Sequence, residues 1–117
     1  MDAKVTASWA ERLLVFEVSI RRDGSQVVLE PRGELDLATA PQLESALVDA
    51  LASERTDAAI VNLAQLEFLD LAGLRALRRC ARLACDRGVA FELLNVTGQP
   101  RLVFELWDRA SARRPGP

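Results

Sequence analysis

The sequence predicts a single α/β domain with a mixed β-sheet and packed helices, in the order β-β-α-β-α-β-α. Its 117 residues correspond to one domain of ordinary size. Hydrophobic residues make up 50% of the chain and charged residues 27%, which is enough apolar material for a core. After two alternating segments, short apolar runs alternate with segments of helical period, which is typical of layered α/β domains.

Two strands joined by a polar turn are predicted at the start of the domain. Apolar residues alternate with polar ones over residues 14–20, which favours a strand with one buried face. Residues 21–25 are polar and predict a turn, and residues 26–30 predict a second strand, so the two strands are expected to form a hairpin. Pro31 and Gly33 are expected to end the second strand.

The first helix is expected to begin at Thr39 and to end near Ser53. The Thr39 hydroxyl can accept a hydrogen bond from a first-turn N–H while Gln42 reaches back, as in a capping box. Pro41 is tolerated in the first turn, where its missing N–H is not needed. Leucines then repeat every four residues, as in an amphipathic helix: Leu43, Leu47 and Leu51.

The remaining elements alternate between strand and helix. Residues 58–63 form a nearly continuous apolar run, which is typical of a central parallel strand covered on both faces. A helix over residues 71–86, a strand over 89–94 and a third helix over 99–109 follow. The second helix is expected to bury a stripe of small and apolar residues: Leu74, Leu77, Ala81 and Ala84.

The ends of the chain lack such patterns. Residues 1–12 are expected to be a loose segment before a domain over residues 13–110, and residues 111–117 a disordered tail. The start has no long apolar region of the kind found in signal peptides. The two cysteines, Cys80 and Cys85, are expected to be buried and unpaired, and nothing indicates an oxidising compartment. A cytoplasmic location is therefore expected.

The composition argues against several classes of function. The chain has no histidine, the commonest general base and metal ligand, and its acids are scattered. No catalytic residue, cofactor or metal site is therefore predicted, and the chain is not expected to be an enzyme. A net charge of −2 gives no support to nucleic-acid binding. No apolar segment approaches the ~20 residues needed for membrane insertion.

Two segments together resemble the signatures of the STAS domain family, the anti-sigma factor antagonist fold. The first signature is Gly33-Glu34-Leu35-Asp36, followed by the helix that begins at Thr39. The second is Ile60-Val61-Asn62-Leu63, then Phe68-Leu69-Asp70, and then Gly73-Leu74. The resemblance covers about residues 13–109, and the joint spacing of both signatures makes it more specific than either alone.

The resemblance implies a protein-binding regulator of bacterial transcription. In such families the domain binds an anti-sigma factor that is also a serine kinase of the ATPase fold, and binding releases the sigma factor. The kinase then phosphorylates the second serine of an Asp-Ser-Ser-Gly motif, and the added charge disrupts the complex. Carried over to this chain, the partner-binding residues are Asp36, Thr39, Asp70, Leu71, Ala72, Gly73, Leu74 and Arg75.

The chain departs from the motif where the family is phosphorylated. Leu71 and Ala72 stand where the two serines are expected, and Ala72, at the degenerate phosphosite, has no oxygen to phosphorylate. The usual off-switch is therefore predicted to be missing. Phosphorylation at another hydroxyl stays open, and Thr39 is closest to the expected surface. Asn62 occupies a position where many relatives carry Asp.

The third helix is followed by only a few residues, whereas many relatives add a short strand and a closing helix. An uncovered apolar patch is therefore expected around Phe104 and Trp107. Such a patch would favour a homo-oligomer, or assembly with other STAS proteins. A scaffold role, an accessory subunit of a transporter ATPase and a ligand-sensing domain stay open as alternatives to the antagonist role.

Several side chains also allow two interpretations. Asp70 is either a plain N-cap or part of the partner surface as well, and Asp36 either shapes a turn or contacts a partner. Four arginines lie opposite the leucine stripe of the second helix: Arg75, Arg78, Arg79 and Arg82. They form either a solvated helix face or a docking face for an acidic partner.

Overall fold

The computed structural model describes residues 16–53 and 55–112. The predictions for the N-terminal segment and for residues 113–117 lie outside the described residues. The described part contains five strands: β1 (Glu17–Asp23), β2 (Gln26–Leu35), β3 (Ala58–Asn62), β4 (Leu66–Leu69) and β5 (Ala90–Leu94). It also contains three helices: α1 (Ala40–Ser53), α2 (Leu71–Asp86) and α3 (Gly98–Ala112).

The strands form one mixed sheet, as predicted. β1 and β2 pair antiparallel as the expected hairpin, with Gly24 in its turn at a φ of +62°. β2 pairs with β3 and β3 pairs with β5, both in parallel, in the spatial order β1-β2-β3-β5. β4 runs parallel to the far half of β2. The element order is therefore β-β-α-β-β-α-β-α, one strand more than the sequence patterns predicted.

The second strand does not end at Pro31 and Gly33, as predicted, but runs through both to Leu35. β3 pairs with residues 26–29 of β2, and β4 pairs with residues 33–35. Pro31 lies in the gap between these two partners, where a proline is tolerated because its missing N–H leaves no ladder hydrogen bond broken. Gly33 sits at an irregularity of the ladder with a φ of +106°, which glycine adopts readily.

Five other boundaries differ from the prediction. β1 extends through the charged residues to Asp23, because the hairpin turn contains only two residues. β3 ends at Asn62 and β5 begins at Ala90, one residue short of the predicted range in each case. α3 begins at Gly98, one residue before the predicted start, and continues to Ala112, so it includes residues 111 and 112 of the predicted tail.

The core lies between one face of the sheet and the helices. Alternate residues of β2 are fully buried and pack with the leucines of α1 and α2. The side chains with 0% exposure include Val27, Leu29, Leu35, Leu43, Leu47 and Leu69. Burying a leucine of this kind contributes roughly 1.5–3 kcal/mol. The core therefore holds α2 firmly at the end of β2, where the candidate site lies.

The predicted apolar patch on α3 has a different composition. Phe104 and Trp107 pack partly buried against the core. The exposed leucines are instead Leu102 and Leu106, each with 54% of its surface accessible. The aromatic side chains of α3 face the core because the helix packs against β4 and α2.

The two cysteines differ in environment, contrary to the prediction that both are buried. Cys80 belongs to the core and is 1% exposed, whereas Cys85 is exposed near the end of α2. They are five positions apart on the helix, so they face different sides. Both are free thiols.

This difference predicts selective thiol chemistry. Burial, and to a smaller extent the Glu44 carboxylate, raises the pKa of Cys80 to about 12. Because the thiolate is the reactive form, Cys80 stays unreactive up to strongly alkaline pH. We expect one thiol to react with a disulfide reagent at pH 8 in the folded protein, and the second only in denaturant. Cys85→Ser should abolish the fast reaction, and equal reactivity of both thiols would contradict the prediction.

Candidate functional site

The candidate site lies where the end of β2 meets the start of α2. The Asp70 N–H donates to the Leu35 carbonyl over 3.4 Å, which joins the two segments. Gly73 is buried against the same carbonyl: a Cβ at this position would lie 2.2 Å from the Leu35 oxygen and 2.7 Å from Leu69 Cδ1. Only glycine therefore allows α2 to approach the strand this closely.

Asp70 caps α2, as one of its two interpretations predicts. Its Oδ1 accepts a hydrogen bond from the Gly73 N–H over 2.8 Å, and its backbone is extended, as N-caps require. Leu74 follows with 1% exposure and packs in the core. Gly73 has no side chain, and the Leu74 side chain is not accessible to a partner. The burial of Leu74 corrects its assignment as a partner-binding residue. The helical stripe that includes Leu77 turns Leu74 inward.

Asp36 and Thr39 fix the loop between β2 and α1. Asp36 Oδ1 accepts from the backbone N–H groups of Ala38 and Thr39, over 2.9 and 3.1 Å. The Thr39 hydroxyl donates to the Glu34 carbonyl over 2.7 Å and accepts from the Asp36 N–H over 3.0 Å. The predicted capping box is therefore not formed, because the Thr39 hydroxyl bonds back to the strand instead.

The exposed part of the site is mainly apolar. Leu37, in the loop after β2, is 78% exposed, and Leu71, the first residue of α2, is 45% exposed. Ala72 is half-buried and Arg75 is exposed one turn further along the helix. We call Leu37, Leu71, Ala72 and Arg75 the α2-start surface. It combines exposed leucines, which are unfavourable in water, with a backbone held by Asp36 and Asp70.

Comparison with known proteins identifies the family. A protein-family model described as "Mlab, STAS domain" matches residues 18–110. The chain belongs to the STAS domain family. The match confirms the resemblance seen in the two signature segments, and it spans the whole described sheet apart from the first residue of β1. No curated protein sequence matches this STAS domain significantly.

Solved structures share the fold. An anti-sigma factor antagonist from Mycobacterium paratuberculosis is 23% identical with a TM-score of 0.69, over 83% of this chain and 81% of that chain. The anti-sigma factor antagonist SpoIIAA in its unphosphorylated form is 24% identical with a TM-score of 0.65, over 80% of each chain. Mglu is 25% identical with a TM-score of 0.60 over 66% of this chain, which spans only 19% of Mglu.

Gln99 is a site residue that the sequence analysis did not find. Its side-chain amide bonds both backbone groups of Leu69: the Leu69 N–H donates to Oε1 and Nε2 donates to the Leu69 carbonyl, each over 2.8 Å. The amide thus takes the place of a neighbouring strand at the outer edge of β4. The residues are thirty positions apart, and no local signal marks the contact. In this STAS domain Gln99 closes the sheet edge beside the α2-start surface.

Asn62 supports the neighbouring strand ends. Its Oδ1 accepts from the Ala64 N–H over 3.0 Å and from Asn95 Nδ2 over 2.8 Å. Asn95 adopts a φ of +58°, a conformation that asparagine tolerates better than most residues. Since Oδ1 serves as an acceptor in both bonds, an aspartate here would make the same contacts. The departure from Asp at this position therefore leaves the local structure unchanged.

The described residues include an open groove but no cluster of metal ligands. Among them, no group of three His, Cys, Asp or Glu side chains is arranged to hold a metal ion. An open groove of about 630 Å³ lies between β1 and α1, lined in part by Ile20, Pro41 and Asp49. None of the described helices is long and apolar enough to cross a membrane.

Proposed function

We propose that this STAS domain is a protein-binding regulator of the anti-sigma factor antagonist type. It binds an anti-sigma factor that is also a serine kinase of the ATPase fold, in the cytoplasm, and catalyses no reaction itself. The observation that carries the proposal is the α2-start surface, where Gly73 seats the helix on β2 and Leu71 stays exposed. Exposed leucines on a fixed backbone favour a protein partner, because apolar contact area is gained without ordering a loop.

The same surface supports a permanently binding-competent state. Ala72 offers no hydroxyl at the position that the kinase modifies in the family pattern. Thr39, the nearest alternative, is half-buried, and its hydroxyl lies between the Glu34 carbonyl and the Asp36 N–H. A phosphate there would remove the hydrogen that the hydroxyl donates to the Glu34 carbonyl. The solved structures described as anti-sigma factor antagonists, including unphosphorylated SpoIIAA, are consistent with this role.

Ala72→Glu is expected to weaken partner binding about tenfold or more, because a buried unpaired charge in an interface costs about 1.4 kcal/mol or more. The fold should tolerate the change, since an acid in the first turn interacts favourably with the helix dipole. Tagged wild type and variant would capture partners from host lysate for mass spectrometry, and calorimetry would then give each Kd.

Ala81→Glu is the matched control. Ala81 was expected in the buried stripe but is half-buried, like Ala72. It lies about two and a half turns further along α2, on the opposite side of the helix. Its binding should equal that of wild type at an unchanged melting temperature. An equal loss of partner affinity in both variants, or no loss in Ala72→Glu, would contradict the assigned surface. Capture of only STAS proteins or transporter ATPases would contradict the antagonist role and favour the scaffold or accessory role.

Ala72→Ser is expected to restore the phosphorylation switch that the chain is proposed to lack. The captured kinase and ATP should leave the wild type unmodified, while Ala72→Ser should gain one phosphoryl group, detected by intact mass. Phosphorylation should release the kinase from the Ala72→Ser variant alone. Phosphorylation of the wild type would contradict the proposal that the surface lacks a switch.

A further inference from the structure

The exposed side of α2 carries one apolar residue followed by a line of arginines. Leu71, Arg75, Arg78 and Arg82 follow a spacing of four, three and four residues, which places them along one side of a helix. All four are exposed. The helix contains four arginines and one aspartate in a chain with a net charge of −2. Positive charge is thus concentrated on this helix.

Two of the α2 arginines stabilise the fold. Arg79 Nε donates to Glu44 Oε1 over 2.6 Å, which joins α2 to α1, and this hydrogen bond raises the pKa of Arg79. The Arg78 guanidinium lies 5.1 Å from the centroid of the Trp107 ring, which joins α2 to α3. The Arg79 side chain is therefore already paired with Glu44. The Arg78 side chain is held against Trp107 but remains exposed to solvent.

Arg75 and Arg82 make no ion pair or hydrogen bond with any residue in ranges 16–53 and 55–112. They lie seven residues apart on one side of α2, a separation of about 10 Å along the axis. Neither supports a neighbouring element, so their side chains are free to meet a ligand. The planar guanidinium groups fit carboxylates with two parallel hydrogen bonds.

We propose that Leu71, Arg75, Arg78 and Arg82 form a docking stripe for an acidic helical segment of a partner protein. Such a segment would place carboxylates opposite the arginines and an apolar side chain against Leu71. The apolar end and the negative net charge of the chain favour a protein over a nucleic acid, as does the lack of aromatic residues in α2 itself. The inference rests on the proposed function, because the stripe begins on the α2-start surface.

The test uses a synthetic helical peptide of about four turns with three glutamates and one leucine on one side. We expect it to shift the NMR signals of α2 residues 71–82. Binding should weaken about tenfold for the double variant Arg75→Gln/Arg82→Gln, as for the loss of two exposed ion pairs. Affinity should also fall with added salt. The matched control, Arg21→Gln/Arg109→Gln, removes two exposed arginines outside the stripe and should bind like wild type.

Three results would overturn the stripe. These are equal binding of a peptide with glutamine in place of glutamate, signal shifts that leave α2 unaffected, and unchanged affinity of Arg75→Gln/Arg82→Gln. Tighter binding to duplex DNA or phosphatidylserine vesicles than to the peptide, through the same arginines, would replace the protein partner with that ligand. The peptide experiment needs no anti-sigma factor and the capture experiment needs no peptide, so failure of the stripe and failure of the proposed function can be told apart.

Discussion

Gly73→Ala is expected to destabilise the folded domain by about 2–4 kcal/mol, which is large against a total of about 5–15 kcal/mol. The new Cβ would lie 2.2 Å from the Leu35 oxygen and 2.9 Å from the Leu35 carbonyl carbon. These are backbone atoms, so no side-chain rotation can relieve the overlap. The gain in helix propensity, about 1 kcal/mol, offsets only part of it. Urea denaturation would measure the change, and the melting temperature should fall by roughly 10–20 °C.

Gly24→Ala is the appropriate comparison. Gly24 has open space around it but a φ of +62°, so alanine there meets only backbone strain of about 1 kcal/mol. Gly73→Ala should therefore be clearly the less stable of the two variants. Equal stability would mean that α2 can move away from β2 without loss, and that glycine does not position the α2-start surface.

Gln99→Ala is expected to cost about 1–3 kcal/mol and to promote self-association. The change removes both hydrogen bonds to Leu69, whose N–H and carbonyl then lack a partner in a partly buried place. The same groups would form an open edge on β4, which can pair with another chain. Urea denaturation would give the stability, and sedimentation at increasing concentration would show the association.

Gln65→Ala provides the control for this prediction. Gln65 is exposed in the turn before β4, and the bond that Gly33 makes to it uses the backbone carbonyl, which the substitution keeps. This variant should match wild type in both measurements. If Gln99→Ala did so as well, the amide would not protect the edge of β4.

Patterns over neighbouring residues were sufficient to predict much of this fold. The hairpin, the span of α2 and the central strand, predicted over residues 58–63 and found over 58–62, agree with the structure because periodicity and capping involve residues close in sequence. Asp70 could be identified as the N-cap for the same reason. The replaced phosphosite at Ala72 and the spacing of the α2 arginines can likewise be read directly from the chain.

Contacts between distant segments could not be predicted in this way. β4 has four residues and no clear alternation, and it becomes a strand because the far half of β2 offers it a partner. That half exists only because β2 continues past Pro31. The bond between Gln99 and Leu69 joins residues thirty positions apart. Each of these features depends on a contact between segments that are far apart in the sequence and come together only in the folded domain.

The candidate site combines both kinds of information. Its chemistry follows from residue identity: alanine cannot be phosphorylated, and arginine stays charged at neutral pH. Which of its side chains can contact a partner follows from packing. Packing buries Leu74, leaves Leu71 exposed and pairs Arg79 with Glu44. Local sequence specifies what each side chain can do, but exposure and pairing depend on which segments the core brings together, and that is set by burial over the whole domain.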